Sequence, residues 1–401
     1  MKKKLKKISS VLMAGALVAS LTACGGGESS EGGASGEAEF KDSKIALAYY
    51  QDSGPAVTAV HAFLDEVGKA MNTEFTYVTF SQTDEATNVA TVQQLISSGV
   101  DGIIGTMDLG TQAILDECEA AGIYYAGYVC DFETSYTTMH DEVFGNEAFL
   151  GTVSDGSLTD NVQGGQYMFD SLIEYNEAHP DDPVEHVSMT MFPEFAYPIQ
   201  RLCADQFVAA VEEYNETAET PITVAPLDEE TDILQFAPID STYFSKHPGI
   251  DGIISFAAGT SFVYPAMVSA GVDSEIKLFT VGLDGGEEDN FGSAGTQTYQ
   301  QVVVTPVETV IYPLVLMINK INDVEFSDMP ETAERIATNQ FVVNSDEDME
   351  KMLTNIYSTG NYEDALITAE DVAELTAVAN PDATYAGLVE TVQGFSIDSI
   401  E

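Results

Sequence analysis

The chain has 401 residues, with 14 Lys and Arg against 66 Asp and Glu, and a formal net charge of -52. So acidic a surface repels phosphate backbones and anionic lipid, which makes nucleic acid a poor partner and says little about fold. At 44% hydrophobic residues the chain can bury the cores of two ordinary domains.

Lys2, Lys3, Lys4, Lys6 and Lys7 precede an apolar stretch, 8–21, which ends in Leu21-Thr22-Ala23-Cys24. A positive segment, a short apolar segment and small residues spell a secretory signal, too short for a spanning helix. The Leu-Thr-Ala-Cys ending resembles the bacterial lipoprotein lipobox. That resemblance implies cleavage before Cys24 and a lipid on Cys24, so that the mature chain is anchored rather than spanning. Residues 25–42 are expected as a flexible tether, Gly/Ser/Glu-rich at first and without periodicity. With Cys24 lipidated, Cys118, Cys130 and Cys203 remain. An odd number without CxxC spacing argues against a disulfide framework and against zinc; one pair could bridge outside the cytoplasm, and spacing does not choose it. The histidines show no paired-ligand spacing, and no cofactor is expected.

A strand is expected at 44–50, a turn at 51–55, and a helix at 57–71 with Val60, Phe63, Leu64 and Val67 on one face. A strand at 74–80, a helix capped by Asp84 and a buried strand at 100–106 follow. A helix at 111–121 and a strand at 123–129 lead to Cys130-Asp131-Phe132. Strands alternating with helices imply right-handed crossovers and a parallel sheet covered on both faces. The loop after the first strand reads Gln51-Asp52-Ser53-Gly54-Pro55, not GxGxxG, which excludes a dinucleotide site there.

A fifth strand at 149–153, a polar turn at 154–160 and a helix at 164–176 begin the alternation again. Strands are expected at 187–192, 222–227, 249–256, 276–281 and 298–304. Helices are expected at 199–214, 236–244, 263–271 and 307–322. Gly99-Val100-Asp101-Gly102-Ile103-Ile104 is echoed by Gly249-Ile250-Asp251-Gly252-Ile253-Ile254, so two similar lobes are expected. A polar connection at 325–336 leads to a final strand at 337–343. An acidic, mostly helical extension follows from Asp346, with Met349, Met352, Leu353 and Ile356 at helical spacing.

Several features together resemble the type I periplasmic binding proteins, in particular the ribose-binding-like sugar-class lipoproteins of ABC importers. They are the lipobox, the Val-Asp-Gly-Ile-Ile strand, the fourth strand ending at Asp131, Asp160-Asn161-x-x-Gly164, and Val281-Gly282-Leu283-Asp284-Gly285. The resemblance covers roughly 44–343. It implies an α/β fold of two doubly wound parallel-sheet lobes. Three crossovers, near 153–160, 304–306 and 337–344, would form the hinge, with ligand in the cleft between the lobes. The expected division is 1–24 signal and lipidated cysteine, 25–42 tether, 43–155 plus 305–340 first lobe, and 156–304 plus 341–401 second lobe. The expected partners are a small ligand, a sugar in first place, an ABC permease and the membrane through the lipid; a monomer is expected.

By the same resemblance Asp131 and Asp284 match ligand aspartates, and Arg201 lies near a ligand arginine. Carboxylates suit neighbouring hydroxyls, and a guanidinium fork suits hydroxyls or a carboxylate. Tyr49, Tyr50, Gln51 and Asp52 end the first strand, where alternation turns only one tyrosine to the cleft. Phe132, Phe195 and Tyr197 are stacking candidates. The chain departs from the ribose pattern at Gln51-Asp52-Ser53, at Ala258-Gly259-Thr260 and at Val304, which disfavours ribose itself. A ligand-presenting sensor and a binder of a nucleoside or amino acid are the alternatives. No GxSxG, zinc or Cys-His motif supports an enzyme; carboxylate pairs for glycoside hydrolysis are the enzymatic rival.

Overall fold

The computed structural model describes residues 39–132, 140–158, 161–194 and 197–400. The signal, Cys24 and most of the tether lie outside them, as do Asp160 and Phe195.

The first lobe runs β1 (Ser43–Tyr49), α1 (Pro55–Ala70), β2 (Thr73–Thr79), α2 (Glu85–Ser98), β3 (Gly102–Gly105), α3 (Thr111–Ala121), β4 (Tyr124–Tyr128), α4 (His140–Phe144) and β5 (Phe149–Ser154). The second begins with α5 (Gly164–Ala178), β6 (His186–Thr190), α6 (Pro198–Asn215), β7 (Thr223–Val224) and α7 (Ser241–Lys246). It continues through β8 (Gly252–Ala258), α8 (Gly259–Phe262), α9 (Tyr264–Ala270), β9 (Lys277–Val281) and β10 (Tyr299–Val304). The chain returns to the first lobe with α10 (Ile311–Ile321) and β11 (Arg335–Ala337), then crosses to β12 (Phe341–Val343). It ends in α11 (Asp346–Thr354), α12 (Ile356–Thr359), α13 (Ala369–Glu374) and α14 (Tyr385–Gln393).

Strand order is β11-β5-β4-β3-β1-β2 in one sheet and β12-β10-β9-β8-β6-β7 in the other. All pairings are parallel except β12 against β10. The same doubly wound order thus occurs twice, the fold class expected from the sequence.

The repeated Gly-x-Asp-Gly turn has a structural cause. In each lobe it enters the third strand beside the start of the first. Asp101 accepts a hydrogen bond from the Lys44 amide at 2.8 Å, and Asp251 accepts from the Glu185 and His186 amides at 3.0 and 2.7 Å. Each carboxylate satisfies backbone N–H groups at a strand start, where the ladder has not yet begun.

Some elements differ from expectation. Residues 337–343 form two strands, not one, because the chain changes lobes there: β11 pairs with β5 and β12 with β10. The expected strand at 222–227 shrinks to β7. The helix expected at 236–244 starts later, where Asp240 accepts from the Thr242 amide at 2.7 Å and so caps it, while Phe236 adopts φ 56.

α10 explains the extension. Every residue from 311 to 319 is buried, and a helix apolar all round needs cover on every face. It rests on β4 and β5, with α13 and α14 packed on it as well, while α12 and α13 pack on α1. α12 to α14 therefore sit on the first lobe, although all of 341–401 was expected in the second. Only β12 and the start of α11 belong there; Asp346 accepts from the Ser293 hydroxyl at 2.6 Å. Among the described residues no helix is long and apolar enough to cross a membrane.

Candidate ligand site

In a parallel sheet the residues following the strands gather at one edge, and here two such edges face each other. Between them lies a cavity of about 230 Å³. On the first-lobe side Tyr49 and Tyr50 come from the end of β1, Gln82 follows β2, Thr106 follows β3, and Tyr128 and Val129 end β4. Opposite them stand Phe192 after β6, Tyr197 and Gln200 at the start of α6, Phe262 of α8, and Asp284 after β9. Asp155, Thr305 and Gln340 come one each from the three crossovers, and Tyr357 of α12 completes the wall.

Aromatic rings supply much of this surface. Tyr49 and Tyr50 stack with centroids 4.6 Å apart. Phe192 stacks on Phe236 at 5.1 Å and meets Phe262 edge-on at 5.0 Å. The Tyr128 hydroxyl donates to the Val307 carbonyl at 3.2 Å, which ties β4 to the second crossover.

Much of the amide capacity already has protein partners. Gln82 donates to the Tyr50 carbonyl at 3.0 Å, Gln200 accepts from the Phe192 amide at 2.7 Å, and Gln340 donates to Thr305 at 3.3 Å. Two carboxylates, Asp155 and Asp284, line the cavity as well. Burial pushes Asp155 up to about 6. Burial also raises Asp284, opposed by the Ser261 hydroxyl, which donates to it at 2.9 Å. Burial, with both carboxylates adding to it, raises the Tyr50 hydroxyl to about 12.

Behind Asp284 lies Glu287, fully buried. It accepts from the Asp284 and Gly285 amides, both at 2.7 Å, and from the Thr260 hydroxyl. Gly285 has φ 101, and a Cβ there would stand 3.2 Å from Pro55 of the first lobe. The turn therefore needs glycine both for its backbone and for the approach of the two lobes.

Of the residues expected in the site, Tyr50, Gln51, Tyr197 and Asp284 line the cavity. Tyr49 does too: Tyr50 falls just beyond β1, where strand alternation no longer applies. The other four lie elsewhere. Asp52 is exposed and accepts from Ser53 at 2.8 Å. Asp131 is buried in an ion pair with Arg335. Phe132, with φ 59, is buried in the first-lobe core and meets Phe149 edge-on at 5.3 Å. Arg201 is partly exposed, its Nε 3.2 Å from Asp205 and its NH1 3.9 Å from Glu229. Gln200 and Cys203 share the cavity face of α6, and Arg201 lies one step of about 100° round the helix from Gln200. Cys118, Cys130 and Cys203 are free thiols.

Sequence reasoning missed Gln82, Thr106, Phe192, Asp155 and Tyr357. All but Tyr357 follow strands, so the strand-end rule could have found them.

Residues 45–318 match the family model of the periplasmic binding protein domain. No curated protein sequence matches the chain. Among solved structures, an ABC transporter solute-binding protein from Agrobacterium vitis, bound with α-D-tagatopyranose, is 16% identical with a TM-score of 0.56, over 80% of this chain and 98% of that one. A solute-binding protein from Bacillus halodurans with bound myo-inositol is 14% identical with a TM-score of 0.52, over 80% and 99%. A putative LacI transcriptional regulator from Bacteroides fragilis is 13% identical with a TM-score of 0.52, over 77% and 99%. At such identities these likenesses show the fold, which serves transport proteins and regulators alike.

Proposed function

The chain belongs to the periplasmic binding protein domain family, and from that premise we propose that it is an extracytoplasmic solute-binding protein, lipid-anchored at Cys24, which closes on a small polar ligand and delivers it to an ABC permease. The observation that carries this reading is the cavity itself, walled by both lobes and by all three crossovers. A ligand that touches both lobes favours the closed state, whereas contacts to one lobe alone shift nothing.

A sugar or cyclic polyol is the ligand class favoured. The cavity, at about 230 Å³, is smaller than the roughly 300–1,000 Å³ of pockets for drug-sized ligands, which suits one small ring. Tyrosine rings suit the CH faces of such a ring, and Asp155 and Asp284 suit its hydroxyls. The ligands named for the two similar solute-binding structures, tagatopyranose and myo-inositol, are of this class. An amino acid fits less well, because its carboxylate calls for a cation and none lines the cavity among the described residues.

A thermal-shift screen of the chain beginning after Cys24 tests the reading. A ligand at about 100 times its dissociation constant adds about 2.7 kcal/mol, enough to move the midpoint by several degrees. Hits are expected among monosaccharides and inositols. Silence there with a hit among nucleosides or amino acids would overturn the sugar class. For the anchor, Cys24→Ser is expected to release the protein from membranes, and retention would count against lipidation.

A further inference from the structure

Tyr50, Tyr128, Phe192, Phe262 and Tyr357 wall a cavity whose charged residues are Asp155 and Asp284. Among the described residues no Lys, Arg or His lines it. Neither carboxylate has a cationic side chain within 4.0 Å among the described residues; Asp284 is bonded by the neutral Ser261 hydroxyl and Asp155 by that of Ser154. Arg335, at the start of β11, is engaged with Asp131 outside the lining.

A carboxylate only accepts hydrogen bonds, and one removed from water without a cation is costly. Each of the two that line this cavity is therefore best satisfied by a positive or donor-rich occupant. Electron-rich aromatic faces add to the same preference, because each attracts a cation within about 6 Å of its ring. The outer field agrees: with 66 Asp and Glu against 14 Lys and Arg, the protein draws cations toward its clefts and repels anions.

From these three observations we propose that the cavity selects a ligand bearing a protonated amine on a small hydroxylated ring, the ammonium lying against Asp155 or Asp284. The proposal rests on the cleft being the ligand site, as argued above, and narrows its ligand class. Asp155 comes from the first crossover and Asp284 from the second lobe, so an ammonium on one and ring hydroxyls on the other would join hinge to lobe. The charge on the ligand would then help drive closure.

The test is calorimetry on the wild-type chain beginning after Cys24. The probes are glucose, glucosamine and glucuronate, then galactose, galactosamine and galacturonate, with choline and putrescine as cations lacking the sugar ring. In at least one triplet the amine is expected to bind about ten-fold or more tightly than the neutral sugar, with no binding by the uronate. Asp155→Asn or Asp284→Asn should remove most of that preference while leaving the melting curve cooperative; a preference that survives both variants overturns the charge selection. A neutral sugar that binds as tightly as its amine, or a uronate that binds at all, overturns the charge selection and leaves sugar binding standing. Binding by choline or putrescine without any sugar supports the charge selection and overturns the sugar ring. Silence from every probe overturns this inference, and the broader screen then decides the cleft reading separately.

Discussion

Glu287 shows how one side chain can shape a site without entering it. Its two oxygens serve the Asp284 amide, the Gly285 amide and the Thr260 hydroxyl, and it lies wholly out of solvent. Glu287→Ala would take the carboxylate from the Asp284 and Gly285 amides, while Thr260 keeps the Tyr299 hydroxyl at 3.1 Å, a cost of about 1–3 kcal/mol in all. The expected result is a lower urea midpoint together with weakened ligand binding, since the turn that carries Asp284 loses its support. Unchanged binding would mean that the turn holds its shape alone. Asp131 makes the opposite case. It follows β4, as expected of a ligand residue, yet its carboxylate meets Arg335 of β11 in the same lobe. Removing one partner of a buried pair costs about 3–5 kcal/mol. Asp131→Asn should therefore lower stability by about that order and change affinity little. A variant of normal stability with lost binding would return Asp131 to the ligand set.

At the scale of elements, the two lobes were legible because each signal was local. Apolar alternation marked β1 and β3, helical spacing marked α1, and Gly99 and Gly122 stopped α2 and α3 in the left-handed conformation that favours glycine. Even the duplication showed, through Asp101 and Asp251. What spacing could not give was the partner of a buried face. Met349, Met352 and Ile356 announce an apolar stripe, but not that the chain after α11 crosses back to α1 and α10. The hint lay in α10, whose sequence is apolar on every side and so required cover. The site was legible to the same degree: strand ends placed Tyr50 and Asp284, while helical phase separated Gln200 from Arg201 and only the fold brought in Tyr357. The extension should behave as part of the first lobe. Tyr385 bonds the Tyr312 hydroxyl and Glu334, both at 2.9 Å, and Asn319 accepts from the Ala377 amide at 2.9 Å. Tyr385→Phe is expected to cost about 1–3 kcal/mol in chemical denaturation. A chain ending at residue 345 would uncover α10 and should aggregate on expression; a soluble, cooperatively folding truncation would show that the extension is an accessory.

The whole molecule should respond to pH through Glu308, which joins the second crossover to the extension. It is fully buried, one oxygen accepting from the Leu366 amide at 3.1 Å and the other without a partner among the described residues. Burial pushes its carboxyl from 4.5 to about 7. The folded state thus holds this proton more tightly than the unfolded chain does. Below 4.5 both states carry it and its contribution is complete; above about 7 neither does and the contribution is gone. Between those limits stability falls as pH rises, by a total on the order of 3 kcal/mol from this one residue. Asp155, raised to about 6 by burial, acts in the same direction, and so does self-repulsion in a chain of net charge -52. Hydrogen bonds from Thr87, Lys246 and Thr242 hold Asp84, Asp228 and Asp240 low, and these act oppositely, but only at pH below the ordinary carboxylate range. Urea midpoints measured from about pH 5 to about pH 8 should therefore decline for the wild type. In Glu308→Gln, which keeps an acceptor for Leu366 and carries no titrating proton, the decline should be shallower by the Glu308 share. Parallel curves for the two proteins would show that Glu308 titrates alike in both states and that the pH response belongs to the remaining charge.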